Sequence, residues 1–169
     1  MFEFLEENID DIMSFNPFAC EYIAENNCQI KYKVVMQDEK EAGLREVLNL
    51  GHTVGRAIET VSEYRLLHGE AVAIGLVAQA MLSENFGYMS HEQVERVIAL
   101  LKQAGLPVSI PYYIDREELV QKLYTDKKVR NGKLRFVLQK GIGDVVEFRP
   151  GVFATAVEED VAREIIMQM

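Results

Sequence analysis

The sequence lacks the features of a membrane protein and of an exported one. No apolar run approaches the roughly 18 residues that a bilayer-spanning helix needs. The first seven residues contain three glutamates and no lysine or arginine, so the basic stretch that opens a secretory signal is missing. These absences predict a cytoplasmic protein that does not act in a membrane.

Cysteine is scarce as well, because the chain has only Cys20 and Cys28. Both lie in a helical pattern, and eight residues of α-helix would separate them by roughly 12 Å, which is too far for a disulfide bond. Two reduced thiols are typical of a protein that works in the cytosol.

Basic residues are fewer than acidic residues in this sequence. The chain has 18 basic and 27 acidic residues and a net charge of −9, which disfavours a nucleic-acid-binding function. Residues 126–135 run against this balance, because they hold five of the basic side chains in ten positions. Such a cluster suits an anionic ligand such as phosphate, and a solvated hairpin is the alternative interpretation.

What the chain does contain is a series of helical patterns. Its 169 residues, 49% hydrophobic and 27% charged, suit one globular domain. Hydrophobic periodicity predicts helices over 3–13, 16–38, 44–62, 68–86, 90–103, 115–124 and 155–169. N-caps are predicted at Asn16, Ser90, Asp115 and Thr155. Alternating residues around the turn at 141–143 predict a β-hairpin of strands 133–138 and 144–148. We therefore expect a mainly α, multi-helical single domain over residues 1–169 with one small β-hairpin.

The predicted helix 44–62 carries a polar stripe along one face. Its members follow helical spacing and are Arg45, Asn49, His52 and Arg56. A solvated face is one interpretation, but the stripe has no acidic residue and contains Asn and His, which are poor helix formers. Its side chains are suitable donors for an anionic, hydroxyl-rich ligand. Gly51 and Gly55 on the flank would let a ligand or another backbone come close.

His68 opens the next predicted helix, whose residues 71–82 are apolar on nearly every face and indicate a buried position. The short connection before it folds this helix back on the previous one, so His52 and His68 can converge on a metal ion. A catalytic zinc usually has three protein ligands, and the candidates for a third are Glu70 and Asp126. Structural roles for both histidines remain an alternative. His91, in the first turn of an exposed helix, is interpreted as a surface residue.

Two motifs make the chain recognisable. Residues 48–59 read Leu-Asn-Leu-Gly-His-Thr-Val-Gly-Arg-Ala-Ile-Glu, and residues 67–75 read Leu-His-Gly-Glu-Ala-Val-Ala-Ile-Gly. Together with Phe-Leu-Glu-Glu-Asn at 4–8, Ala-Gly-Leu-Pro at 104–107 and Asp-Lys-Lys at 126–128, they resemble the C-terminal domain of the 3-dehydroquinate synthase family. The likeness extends through the whole chain.

The resemblance implies a two-domain enzyme in which an N-terminal Rossmann-like half binds NAD and a C-terminal helical half binds metal and most of the substrate. The implied enzyme is a lyase of the shikimate pathway, which leads to the aromatic amino acids. It converts 3-deoxy-D-arabino-heptulosonate 7-phosphate to 3-dehydroquinate and releases phosphate. The implied partners are this sugar phosphate, the NAD-binding half and a second copy in a homodimer.

The resemblance also assigns roles to individual residues. It implies that His52 and His68 bind a divalent metal, zinc or alternatively cobalt, beside a glutamate. Substrate-binding residues are implied at Lys31, Arg45, Asn49 and Lys127. Of these, Lys31 is expected near the substrate hydroxyls, where it is also a candidate catalytic residue, and the other three are expected to hold the carboxylate or the phosphate.

The chain departs from the family pattern in two ways. The family's glutamate ligand belongs to an Ala-Glu-x-x-Lys motif just upstream of the segment that matches residues 1–3, and the NAD-binding half lies upstream too. We therefore expect a fragment that is inactive alone. At Arg56, a candidate catalytic position, the family usually has a histidine. An arginine stays charged and cannot act as a base near neutral pH, but it can bind an anion.

Two other functions stay open at this point. The chain could belong to another sugar-phosphate cyclase, such as a 2-deoxy-scyllo-inosose synthase, because these enzymes share the histidine motifs. It could instead be a non-catalytic helical domain that serves interaction or oligomerisation, because a chain separated from its other half would expose apolar surface.

Overall fold

A computed structural model describes residues 1–125 and 134–169. Its α-helices are α1 (Phe2–Met13), α2 (Pro17–Gln37), α3 (His52–Val61), α4 (His68–Asn85), α5 (His91–Gln103), α6 (Arg116–Thr125) and α7 (Glu159–Gln168). A 3-10 helix (Leu44–Asn49) precedes α3, and strands β1 (Arg135–Val137) and β2 (Ala154–Ala156) pair antiparallel. The predicted fold class, mainly α with a small sheet, is confirmed. Within the described ranges, no helix is both long and apolar enough to cross a membrane.

Three of the predicted helix starts depend on local capping, and the structure confirms them. The Asn16 side chain accepts backbone N–H bonds at the start of α2, and Pro17 takes the first helical position. Ser90 and Gln93 form a reciprocal capping box at the start of α5. The Asp115 carboxylate accepts the N–H of Glu118 at 3.0 Å. Each bond satisfies a donor that the first turn of a helix leaves unpaired.

Helix α4 lies at the centre of the core, as its apolar sequence predicts. It packs against α3 on one side and against α5 and α7 on others. Ile74, Ala78 and Leu82 from α4 join Val54 and Ile58 from α3 in the main hydrophobic cluster. Burial of these side chains from water is the dominant favourable contribution to folding.

Glycines allow α3 and α4 to approach at backbone distance. A Cβ atom on Gly55 would lie 3.0 Å from the Ala71 carbonyl oxygen, and one on Gly75 would overlap the carbonyl oxygen of Gly51. The expectation that Gly51 and Gly55 permit a close approach is therefore confirmed, and the approaching group is the backbone of α4. This contact fixes the start of α3 against the middle of α4.

The prediction of one continuous helix over 44–62 is wrong. The 3-10 helix ends at Asn49, and α3 begins only at His52. Gly51 between them has φ +78°, a left-handed conformation that glycine adopts without a steric penalty. Because the chain turns here, Arg45 does not continue the face of α3 that carries His52 and Arg56.

The sheet differs from the predicted hairpin in its second strand. The turn at 141–143 exists, and Val146 donates its N–H to the Leu138 carbonyl oxygen at 2.9 Å. Within 144–148, however, Val145 makes one isolated bridge, to Gln139, and β1 takes β2 as its partner. Thr155 lies inside β2, so its predicted capping of the last helix is wrong, and Glu158 precedes α7 instead.

Helices α1 and α2 lie on the outside of the domain. Across their described residues, Ala19 is the one buried position. The guanidinium of Arg96 on α5 holds α1 through two hydrogen bonds to the Glu6 carboxylate, 2.9 and 2.6 Å long. These bonds lower the pKa of the Glu6 carboxyl group below its ordinary value.

Candidate metal centre and anion-binding cleft

The structure brings His52 and His68 together. Each histidine is the first residue of its helix, α3 for His52 and α4 for His68, and the two helices pack side by side. The centroids of the two imidazole rings are 5.3 Å apart and their planes differ by 53°. The short connection between the helices thus produces the convergence that the sequence predicts.

Both rings are oriented through the same nitrogen atom. The Nδ1 atom of His52 lies 3.0 Å from the Leu50 carbonyl oxygen, and the Nδ1 atom of His68 lies 3.0 Å from a carboxylate oxygen of Glu59. Because both partners accept a hydrogen bond, Nδ1 carries a proton in each ring, and in the neutral imidazole Nε2 is then the nitrogen with the free lone pair. Metal-binding histidines usually donate their other ring N–H to a carbonyl or carboxylate oxygen in this way.

The donor set fits part of a divalent-metal site. Two imidazoles bound to one tetrahedral zinc ion at about 2.1 Å place their ring centroids roughly 5 Å apart, close to the observed spacing. Among residues 1–125 and 134–169, no group of three histidine, cysteine or carboxylate side chains is arranged to hold a metal. Glu70 accepts the backbone N–H of Leu67 at 2.7 Å instead, and Asp126 lies outside the described residues.

A cleft of about 730 Å³ opens beside His52. It is lined by His52, Thr53 and Arg56 of α3 and by Arg135 and Val137 of β1. The Thr53 hydroxyl donates to the Arg135 carbonyl oxygen at 3.4 Å, so the two elements are in contact. The charged lining residues in the described part of the chain are Lys40, Glu41, Glu46, Arg56, Lys122 and Arg135. A protein of net charge −9 therefore presents more cations than carboxylates here, which favours an anionic ligand.

Two of these cations, the Lys40 ammonium and the Arg56 guanidinium, form no ion pair with any residue that the structure describes. Arg135 donates one N–H to the Ala154 carbonyl oxygen, while its buried Nε atom has no hydrogen-bond partner among residues 1–125 and 134–169. Cationic donors that lack such a partner among the described residues are suited to bind a phosphate or a carboxylate.

The sequence-predicted substrate residues divide between the cleft and its surroundings. Asn49 and Arg56 line the cleft. Arg45 lies outside it and donates to the Glu39 carbonyl oxygen at 3.0 Å. Lys31 is exposed on α2 and does not line the cleft, and Lys127 lies outside the described residues. His91 is exposed as predicted, beside Glu84.

Asp38 stabilises the loop that follows α2 and carries Lys40. Its carboxylate accepts the N–H groups of Ala42 and Gly43 at 2.8 Å and that of Arg45 at 2.9 Å. These backbone bonds, that of Arg45 first, lower the pKa of the Asp38 carboxyl group below its ordinary value. The carboxylate thereby closes the loop that carries Lys40 to the cleft.

Several residues that build the site were not predicted. Glu59 orients His68, Lys40 lines the cleft, and Gln79 accepts the Gly51 N–H at the start of α3. Arg135, which also lines the cleft, belongs to the basic segment 126–135 that the sequence predicted to suit an anion. The one signal for Gln79 was a polar side chain within the apolar run 71–82. Its partners are distant in the sequence, so the pattern alone does not identify them.

Comparisons with known proteins identify the family of this chain. The family described as the 3-dehydroquinate synthase C-terminal domain matches residues 1–129. The chain belongs to this family. A 3-dehydroquinate synthase from Pelobacter propionicus is 49% identical over 146 residues, which are 86% of this chain and 40% of the relative. One from a Nostoc species is 41% identical over the full chain and 46% of the relative. The chain thus spans less than half the length of these relatives.

Solved structures share the fold of this family. A 2-epi-5-epi-valiolone synthase from Streptomyces hygroscopicus with NAD⁺ and Zn²⁺ bound matches 98% of the chain and 46% of that protein, with a TM-score of 0.80 at 22% identity. A 2-deoxy-scyllo-inosose synthase with carbaglucose-6-phosphate, NAD⁺ and Co²⁺ matches 73% of the chain and 35% of that protein, with a TM-score of 0.65 at 24% identity. At these identities the likeness establishes the fold.

Proposed function

We propose that this chain is the metal- and substrate-binding part of a 3-dehydroquinate synthase, which converts 3-deoxy-D-arabino-heptulosonate 7-phosphate to 3-dehydroquinate with release of phosphate. The observation that carries the proposal is the convergence of His52 and His68, each oriented through Nδ1, beside a cationic cleft. The reaction itself is assigned from membership in the 3-dehydroquinate synthase family. A homodimer in the cytoplasm, acting with an NAD-binding half, stays a prediction.

In this proposal the two histidines hold a divalent cation through Nε2, with zinc or cobalt as the expected ion. When bound, the cation would act as a Lewis acid toward a substrate oxygen. Leu50 and Glu59 keep the imidazoles in the tautomer that leaves Nε2 available. A third ligand is expected from outside the described residues.

The cleft supplies the substrate contacts. The Asn49 amide can donate to a substrate oxygen, and the charges of Lys40, Arg56 and Arg135 attract the phosphate and the carboxylate. Roles for Arg45, Lys31 and Lys127 remain predictions. For Arg45, the bond to Glu39 would have to be exchanged for one to substrate.

The test is a chimera in which this chain replaces the matching C-terminal part of the Pelobacter propionicus relative. With NAD⁺ and a divalent metal, the chimera should release phosphate from the heptulosonate substrate, and His52→Ala should abolish this activity. Glucose 6-phosphate is the competing substrate, because the carba analogue of that sugar occupies the inosose synthase structure. Turnover of glucose 6-phosphate in place of the heptulosonate would contradict the assignment.

Arg56 is tested in the same chimera. Because an arginine cannot move protons near neutral pH, Arg56→His should raise kcat by an order of magnitude or more if proton transfer at this position limits turnover. Equal rates in the two proteins would show that Arg56 causes no loss in rate. A folded chimera that neither turns over nor binds metal would favour a non-catalytic module.

A further inference from the structure

Gln79 is a fully buried amide in the middle of α4, with 0% of its surface exposed. Its side-chain oxygen accepts the backbone N–H of Gly51, and its side-chain nitrogen donates to the Val137 carbonyl oxygen at 2.7 Å. One side chain therefore connects the residue before His52 with strand β1.

We propose that Gln79 is a positioning residue that fixes the start of α3, and with it the imidazole of His52, relative to β1. The metal-binding role of His52 rests on the proposed function, whereas the mechanical link depends only on the contacts of Gln79. His52 and Val137 both line the cleft. Through its two hydrogen bonds, Gln79 connects the elements that carry these two residues.

The chemistry of the two contacts requires an amide. Gly51 offers a donor and Val137 an acceptor, and both residues are buried, so neither backbone group can be left to water. Glutamine supplies an acceptor and a donor from one side-chain end. A carboxylate would lack the donor, and an apolar side chain would leave both backbone groups unpaired.

The link reaches His52 through the turn that precedes it. The Nδ1 atom of His52 is oriented by the Leu50 carbonyl oxygen, and Gly51 lies between these two residues. If the Gly51 N–H is released, the turn loses its hydrogen bond to α4 and keeps its packing against Gly75. We then expect the His52 ring to lose its fixed orientation, which is the property that a metal ligand needs.

A structural role without an effect on the site is the competing explanation, and Ser83 provides the matched control. Ser83 lies one turn further along α4 and is also fully buried. Its hydroxyl donates to the Gln79 carbonyl oxygen and accepts the N–H of Gln139, so it connects α4 to the segment after β1 but not to α3. Ser83→Ala should destabilise the fold without disturbing His52.

The experiment compares the chain with its Gln79→Met and Ser83→Ala variants by two measurements. Long-range ¹H–¹⁵N spectra report the tautomers of His52 and His68, and Co²⁺ titration with visible absorption reports binding at the histidine pair. In Gln79→Met, His52 should lose its dominant Nδ1–H tautomer while His68, held by Glu59, keeps its own. Co²⁺ binding should weaken by about tenfold or more.

An unchanged His52 tautomer in Gln79→Met, or an equal change in Ser83→Ala, would overturn the proposal. If Gln79→Met does not fold, Gln79→Asn takes its place, because it keeps the amide but is too short to reach both partners, and the same loss at His52 is expected. Failure of the unmodified chain to bind Co²⁺ would contradict the proposed metal function. The His52 spectrum would still decide the role of Gln79.

Discussion

The α3–α4 pair and the α1–α2 pair differ in how much of their apolar side chains they bury. Between Ala71 and Leu82, α4 is buried at most positions, and Gly75 of α4 and Gly55 of α3 allow the two helices to approach at backbone distance. In α1 and α2 the described residues bury Ala19 and leave large apolar side chains such as Phe18 and Met36 exposed. The inner pair is therefore fixed by its own core, while the outer pair presents a surface typical of a contact with another protein part.

This difference explains which candidate residues the chain positions by itself. His52 and Arg56 stand on α3 and His68 on α4, and the packing of these helices sets their separation. Lys31 stands on exposed α2, away from the cleft lining. A role for Lys31 in substrate binding depends on a movement or a contact that α2 does not make within this domain.

The largest effect is expected where the inner pair is closest. Gly75→Ala would place a methyl group onto the Gly51 carbonyl oxygen, so we expect the free energy of unfolding to fall by about 3 kcal/mol or more. Gly69→Ala on the same helix is the control, because a Cβ atom there has nothing within 4 Å. It should be neutral or stabilising by roughly 0.5–1 kcal/mol. Urea unfolding measures both, and equal losses would contradict the close contact.

The two pairs can be compared with one substitution. Ile58 on α3 is 0% exposed and Ile30 on α2 is 49% exposed. Ile58→Ala should lower the free energy of unfolding by about 2–5 kcal/mol, because it leaves a cavity in the core. Ile30→Ala should cost less than about 1 kcal/mol. Similar costs at the two sites would mean that α2 is buried in solution, as in a dimer.

A smaller effect is expected in the loop that follows α2, where Asp38 organises the chain to Arg45. Its folded-state pKa is lowered by backbone N–H bonds. Its contribution to stability is therefore fully present above the unfolded pKa of about 3.9 and is lost as pH falls through the lowered folded value. Asp38→Asn should lower the Tm at neutral pH, and the difference from the unmodified chain should shrink below about pH 4.

Glu39→Gln is the matched control for this measurement. In the part of the chain that the structure describes, the Glu39 side chain makes no hydrogen bond, and only its backbone oxygen accepts one from Arg45. The Tm of Glu39→Gln should therefore follow that of the unmodified chain at every pH. A pH profile of Asp38→Asn that matches the control would show that the loop does not depend on this carboxylate.

Local signals predicted much of the fold. Caps at Asn16, Ser90 and Asp115 are bonds between near neighbours, so the sequence identifies them. The partner of β1 was predicted wrongly, because strand pairing joins distant segments, and the nearby residues 144–148 alternate in the same way. The break at Gly51 was missed because helical spacing continued on both sides of a single left-handed residue.

The candidate site was predictable to a similar degree. The histidine pair follows from two motifs and a short connection. The groups that orient the pair, Glu59 and Gln79, are recognisable only after the chain folds, because Gln79 bonds residues 28 and 58 positions away. Charge composition indicated the anionic ligand through residues 126–135, whereas the described cleft draws its cations from four separate segments.

The central claim is that the packing of α3 on α4 prepares His52 and His68 to bind one divalent metal ion. Calorimetric titration of the chain with Zn²⁺ tests it directly, together with His52→Ala, His68→Ala and the surface control His91→Ala. We predict weak binding with a stoichiometry of about one, lost in each of the first two variants and unchanged in the third. Binding that persists in both His52→Ala and His68→Ala would contradict the account.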